Sequence, residues 1–107
     1  MKIEKINTRY LVQSIADHVP AARITYHSDV AFYLYGYKLT ISGNLVTSER
    51  VTFRYHTVKD LLLNLWEEGL LPCSGETLKH IQNRYANLEG REATDQFKKR
   101  SNEPIKV

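Results

Sequence analysis

The strand-like run Ala31-Phe32-Tyr33-Leu34-Tyr35-Gly36-Tyr37-Lys38-Leu39-Thr40-Ile41 constrains the fold of this chain more than any other segment. Side chains of a strand alternate between its two faces. Read as one continuous strand, the run puts Tyr33, Tyr35, Tyr37, Leu39 and Ile41 on one side and Phe32, Leu34, Gly36, Lys38 and Thr40 on the other. A one-residue difference in register exchanges the two sets. With Phe32 and Leu34 turned inward, the tyrosines form an outer stripe available for binding; turned outward, they put the stripe in the core.

The flanking segments supply partners for this strand. Asn7 or Thr8 can cap a helix running to Val19, with Leu11, Val12, Ile15, Ala16 and Val19 as its apolar side and Pro20 marking its end. Ile24-Thr25-Tyr26 reads as a short strand and His27-Ser28-Asp29 as a turn. Gly43-Asn44 predicts a hairpin turn, and a returning strand from Val46 to Tyr55 alternates Val51, Phe53 and Tyr55 against Arg50, Thr52 and Arg54. Thr57 with Asp60 predicts the capped start of a helix over Val58–Glu68, closed by Gly69 with Leu70 and Leu71 packing back. Ser74 predicts the cap of a last helix, in which Leu78, Ile81, Tyr85 and Leu88 repeat at helical spacing and Gly90 is expected to interrupt.

These readings define an α+β domain over residues 1–90: a three-stranded antiparallel sheet with an N-terminal helix and two C-terminal helices packed on one face. Its expected core includes Ile15, Ile24, Leu34, Val51, Phe53, Leu61, Leu65, Ile81 and Leu88. Residues 91–107 read as a polar, basic extension with Lys98-Lys99-Arg100 as a cationic cluster, either continuing the helix or forming a loose tail. The Leu78/Ile81/Tyr85/Leu88 seam is expected to pack within the domain; a homo-oligomer built on that helix is the other reading.

The 107 residues are enough for one small core. No apolar run approaches the ~20 residues of a membrane span, and Met1-Lys2-Ile3-Glu4-Lys5 has no apolar stretch behind it, so neither a membrane partner nor a signal peptide is expected. The single cysteine, Cys73, leaves no internal disulfide and suits the cytoplasm. A net charge of +3 and a pI near 9.0 permit nucleic-acid contact and argue against a strongly acidic mimic of DNA.

No catalytic, metal or cofactor site is expected. His18, His27, His56 and His80 lack the spacing that puts two ligands on one helical face, though His27 and His56 sit at strand ends where they can meet across the sheet. Cys73 precedes a helix start but has no base near it in sequence, and the glycines stand singly, without a phosphate-binding loop.

Binding is therefore the expected activity, and Tyr33, Tyr35, Tyr37, Lys38, Arg50 and Arg54 are the candidate contact residues. Tyrosine and arginine are enriched at protein interfaces, while aromatic rings beside basic side chains also suit bases and phosphates. Gly36-Tyr37-Lys38-Leu39-Thr40-Ile41 partly resembles the RNP1 run of RRM domains, but Tyr35 stands where a basic residue is expected and Lys38 where a small one is. The element order differs from the RRM's as well.

Over roughly residues 22–90, the twisted hairpin, the capped helix of Tyr55-His56-Thr57-Val58-Lys59-Asp60-Leu61-Leu62 and a second helix resemble, in size and architecture, small accessory proteins of bacteriophages and other mobile elements, anti-CRISPR inhibitors among them. That resemblance implies a stoichiometric, cytoplasmic, non-enzymatic inhibitor that occupies a surface of a host protein or nucleoprotein complex. The alternative is a nucleic-acid-binding module using the aromatic and basic face of the sheet.

Overall fold

A computed structural model describes the backbone of residues 4–105 and the side chains of residues 4–90. Helix α1 (Thr8–His18) starts at Asn7, whose side chain accepts a hydrogen bond from the Tyr10 N–H at 3.1 Å. It buries Thr8, Leu11, Ser14 and Ile15, while Ala16, expected on the apolar side, is exposed. Pro20, which cannot continue the helix, opens a 3-10 turn (Pro20–Ala22) that leads into the sheet.

The sheet has five strands rather than three, an antiparallel meander in chain order: β1 (Thr25–Ser28), β2 (Ala31–Leu34), β3 (Tyr37–Ser42), β4 (Leu45–Thr47) and β5 (Thr52–Arg54). Two breaks account for the difference. The tyrosine run folds back on itself at Tyr35-Gly36, where both residues have positive φ (56° and 82°), the backbone a two-residue type I′ hairpin requires. The returning segment breaks at Ser48, whose hydroxyl accepts from the N–H groups of Arg50 and Val51, both at 3.1 Å, a local alternative to the strand ladder. Gly43-Asn44 is a hairpin turn as its sequence predicts, with Gly43 at φ 60°.

The turn at Tyr35-Gly36 also settles register. Leu34 pairs with Tyr37, Phe32 with Leu39 and Tyr33 with Lys38. Phe32, Leu34, Leu39 and Val46 are fully buried, while Tyr37, Ile41 and Phe53 pack half-buried against the same core. Each fully buried large side chain contributes about 1.5–3 kcal/mol.

Helix α2 (Val58–Glu67) is capped by the Thr57 hydroxyl, which accepts from the Asp60 N–H. It ends at Gly69 (φ 79°), with Leu70 N–H donating to Leu65 O and Gly69 N–H to Trp66 O, the two bonds of a Schellman motif. Leu70 and Leu71 are thereby turned into the core. Helix α3 (Gly75–Ile105) starts at Ser74, whose hydroxyl accepts from the Thr77 N–H, and runs through Gly90 without interruption. An exposed glycine costs a helix about 1 kcal/mol relative to alanine but breaks no hydrogen bond. Leu78, Ile81 and Tyr85 belong to the same core as α1, α2 and the sheet, so the seam is used within the chain. The side chains of Phe97 and Lys98-Lys99-Arg100 lie outside the described residues.

Candidate functional site

Because α1, α2 and α3 share their core with the inward side chains, the opposite face of the sheet is left uncovered by the described residues, with Ala31 the buried residue on it. Cross-strand pairing arranges that face in rows. Thr25, Tyr33 and Lys38 form one; Ser28, Ala31, Thr40, Thr47 and Thr52 a second; Ser42, Leu45 and Arg54 a third. Thr25, Lys38, Thr40, Ser42, Thr47, Thr52 and Arg54 are exposed, and Tyr33 and Leu45 are half-buried.

Charge is segregated on this scaffold. Lys38 and Arg54 are the charged residues of the strands, and none of the chain's twelve acidic residues lies in a strand. Asp29 and Glu49 sit in the connecting turns, Glu4 precedes α1, Glu68 caps the end of α2, and Asp17, Asp60, Glu67, Glu76 and Glu89 lie on the helices. The open face is thus a surface of hydroxyls and cations.

The candidate residues are not brought together as a stripe. Tyr33 is on the open face, where the His27 ring meets it edge-on with centroids 5.5 Å apart. Lys38 stands directly opposite Tyr33 on the neighbouring strand. Tyr37 faces the other way and packs on the core, because a two-residue turn puts it across from buried Leu34. Tyr35 is 36% exposed at the hairpin tip. Arg54 projects from β5 onto the open face, whereas Arg50 is an exposed residue of the Ser48–Val51 loop. His27 and His56 do not meet: β1 and β5 are opposite edges of the sheet, and His56 lies by Asp60.

Among the described residues, two other than glycine have positive φ, Arg23 (51°) and Tyr35 (56°), and both are exposed. They are tied together, since the Tyr35 N–H donates to the carbonyl of Ala22 at 2.9 Å. For an L-residue with a side chain this conformation costs roughly 1–2 kcal/mol. An arginine and a tyrosine are thereby held at the end of the open face, beside the row of Thr25, Tyr33 and Lys38. Sequence reading named Tyr35 but missed Arg23 and the threonine rows. The signal for the rows was present in the alternation of Thr40, Thr47 and Thr52 with apolar neighbours.

A groove of about 960 Å³ lies elsewhere, between the segment preceding α1 and the sheet's turns, and is lined by Glu4, Arg9, Asp29, Val30, Tyr55 and Glu89 among others. None of the sequence-predicted contact residues borders it. Behind two of the groove's residues, the buried Tyr85 phenol accepts from the Asn7 N–H (2.8 Å) and donates to Glu89 Oε2 (3.1 Å). Burial, reinforced by the charges of Glu89 and Glu4, raises its pKa well above the usual tyrosine value. Tyr55, whose hydroxyl donates to Gly43 O, is also shifted up, by burial and then by Glu4. These phenols stay protonated at neutral pH and act as structural hydrogen-bonding groups.

Burial likewise pushes the Cys73 thiol up, away from the reactive thiolate. Among the described residues, no group of three or more His, Cys, Asp and Glu side chains could hold a metal ion, and no helix is long and apolar enough to cross a membrane. Comparison with protein families, with curated proteins and with solved structures finds no match.

Proposed function

We propose that this chain is a small non-enzymatic binding protein that works by laying the open face of its sheet on a partner. The observation that carries this reading is the one-sided packing of the sheet: an uncovered face of five strands, bearing Lys38 and Arg54 and no carboxylate. A rigid antiparallel sheet presents such a surface without reorganisation, which limits the entropy lost on binding. The resemblance to phage and mobile-element inhibitors supplies the partner class, a host protein or nucleoprotein complex whose surface the protein occupies.

The test compares two variants of equal charge change. Lys38→Glu/Arg54→Glu alters the open face, and Lys59→Glu/Lys79→Glu alters exposed positions on α2 and α3. In pull-downs from bacterial lysate, the wild type and the helix variant are expected to retain the same partner and the face variant to lose it. Retention by the face variant at the wild-type level overturns the proposal.

A further inference from the structure

Resting on the open face as the working surface, we infer that what it contacts is single-stranded nucleic acid, the RNA or DNA component of a nucleoprotein. Three features of the face point there. First, its electrostatics suit a polyanion. Lys38 and Arg54 stand about 13 Å apart along the strands and about 10 Å across them. Arg23, before β1, and Arg50, in the β4–β5 loop, both lie at the strand ends next to the Tyr35-Gly36 turn but toward opposite edges of the sheet, while no carboxylate lies in a strand. Second, exposed Thr25, Thr40, Ser42, Thr47 and Thr52 fill the ground between these cations with hydroxyl groups. Hydroxyls and cations together are the groups that contact phosphate and sugar.

Third, the face lacks what a protein partner would need. A protein interface has an apolar centre within a polar rim. Here the large apolar side chains of the open face are Tyr33 and Leu45, both half-buried and in different rows. The large hydrophobic residues that are exposed elsewhere, Val30 and Leu63, lie in a turn and on α2.

The shape selects single strands. Five strands span roughly 19 Å, too wide for a duplex major groove about 12 Å across. An open face of that width instead lets an unpaired strand run across it with its bases turned down. Tyr33 is suited to receive one: its ring is braced by His27, and Lys38 is its cross-strand partner on the same face. Tyr35, at the hairpin tip with strained backbone, offers a second ring at the edge next to Arg23.

Fluorescence anisotropy of the full chain with labelled 20-nucleotide single-stranded RNA and DNA, and with the matching duplex, tests the inference. Binding is expected at low salt, tighter to single strands, and weakening as salt rises. Lys38→Ala and Arg54→Ala should each lower the salt slope by about 0.7. Tyr33→Ala should weaken binding roughly 5- to 150-fold, and Tyr33→Phe should restore most of it. Far-UV circular dichroism confirms that each variant folds. No binding at low salt, or affinity unmoved by these variants, overturns the inference. If the lysate partner is still lost only by the face variant after nuclease digestion, the open-face reading stands and the nucleic-acid inference falls.

Discussion

The phenolic oxygen of Tyr85 on α3 accepts a hydrogen bond from the backbone N–H of Asn7, the residue that caps α1, at 2.8 Å. One side chain therefore joins the last helix to the start of the first, 78 residues apart. Tyr85→Phe keeps the ring and its edge-on contact with Tyr10 but leaves that N–H without its acceptor. The loss of a partner for this part-buried donor costs up to about 1–3 kcal/mol. Urea unfolding monitored by circular dichroism should show a lower midpoint with an unchanged slope; an unaltered midpoint would mean the bond contributes nothing.

The same residue sets the behaviour in alkali. Its raised pKa means the folded state keeps a proton that the unfolded chain releases near pH 10. Stability is then undiminished below pH 10 and falls as pH rises above it, because the native state binds more protons than the unfolded state. Urea midpoints measured from pH 8 to pH 11.5 should be level and then decline. In Tyr85→Phe the decline should be shallower, with Tyr55, Tyr26 and Cys73, all also shifted up, contributing what remains. Identical profiles for the two proteins would remove Tyr85 as the cause.

Tyr35 occupies a left-handed position immediately before Gly36, where Asn-Gly is the favoured pair for a type I′ turn. Tyr35→Asn should raise stability by about 1 kcal/mol, and a β-branched Tyr35→Val should lower it. If the ring contacts the partner, the stabilised variant binds more weakly, a trade of function for stability. Thermal melts paired with anisotropy read both effects, and a destabilised Tyr35→Asn would refute the strain.

Register is testable by neighbouring truncations. Phe32 is fully buried and Tyr33 lies half-buried on the open face. Phe32→Ala should cost about 3–5 kcal/mol, and Tyr33→Ala under about 1 kcal/mol. Equal or inverted losses in chemical denaturation would place the tyrosine inside.

Much of the fold was legible because it follows from local chemistry. Asn7, Thr57 and Ser74 cap the helices their sequence contexts predict, and Gly69 closes α2 through a positive φ. Alternation from Val51 to Tyr55 gave the correct inner face. What alternation could not show was the fold-back at Tyr35-Gly36, since tyrosine is a poor turn former and the apolar pattern runs through it unbroken. That turn flips the phase between Tyr33 and Tyr37, so a stripe of tyrosines on paper becomes one outward ring, one tip and one core contact. The break at Ser48 was hidden for a similar reason, because a serine hydroxyl capturing two backbone N–H groups leaves no mark on hydropathy. The charge segregation of the open face emerged only when the connections between strands were known.

Chemical-shift mapping by NMR, with the isotope-labelled full chain titrated with single-stranded oligonucleotide, reads the working surface directly. Shifts should cluster on Thr25, Tyr33, Lys38, Thr47, Thr52 and Arg54, with Gln13 on α1 and Lys79 on α3 unmoved. Shifts confined to the helices, or to the groove lined by Glu4 and Glu89, would contradict the assignment of function to the open face.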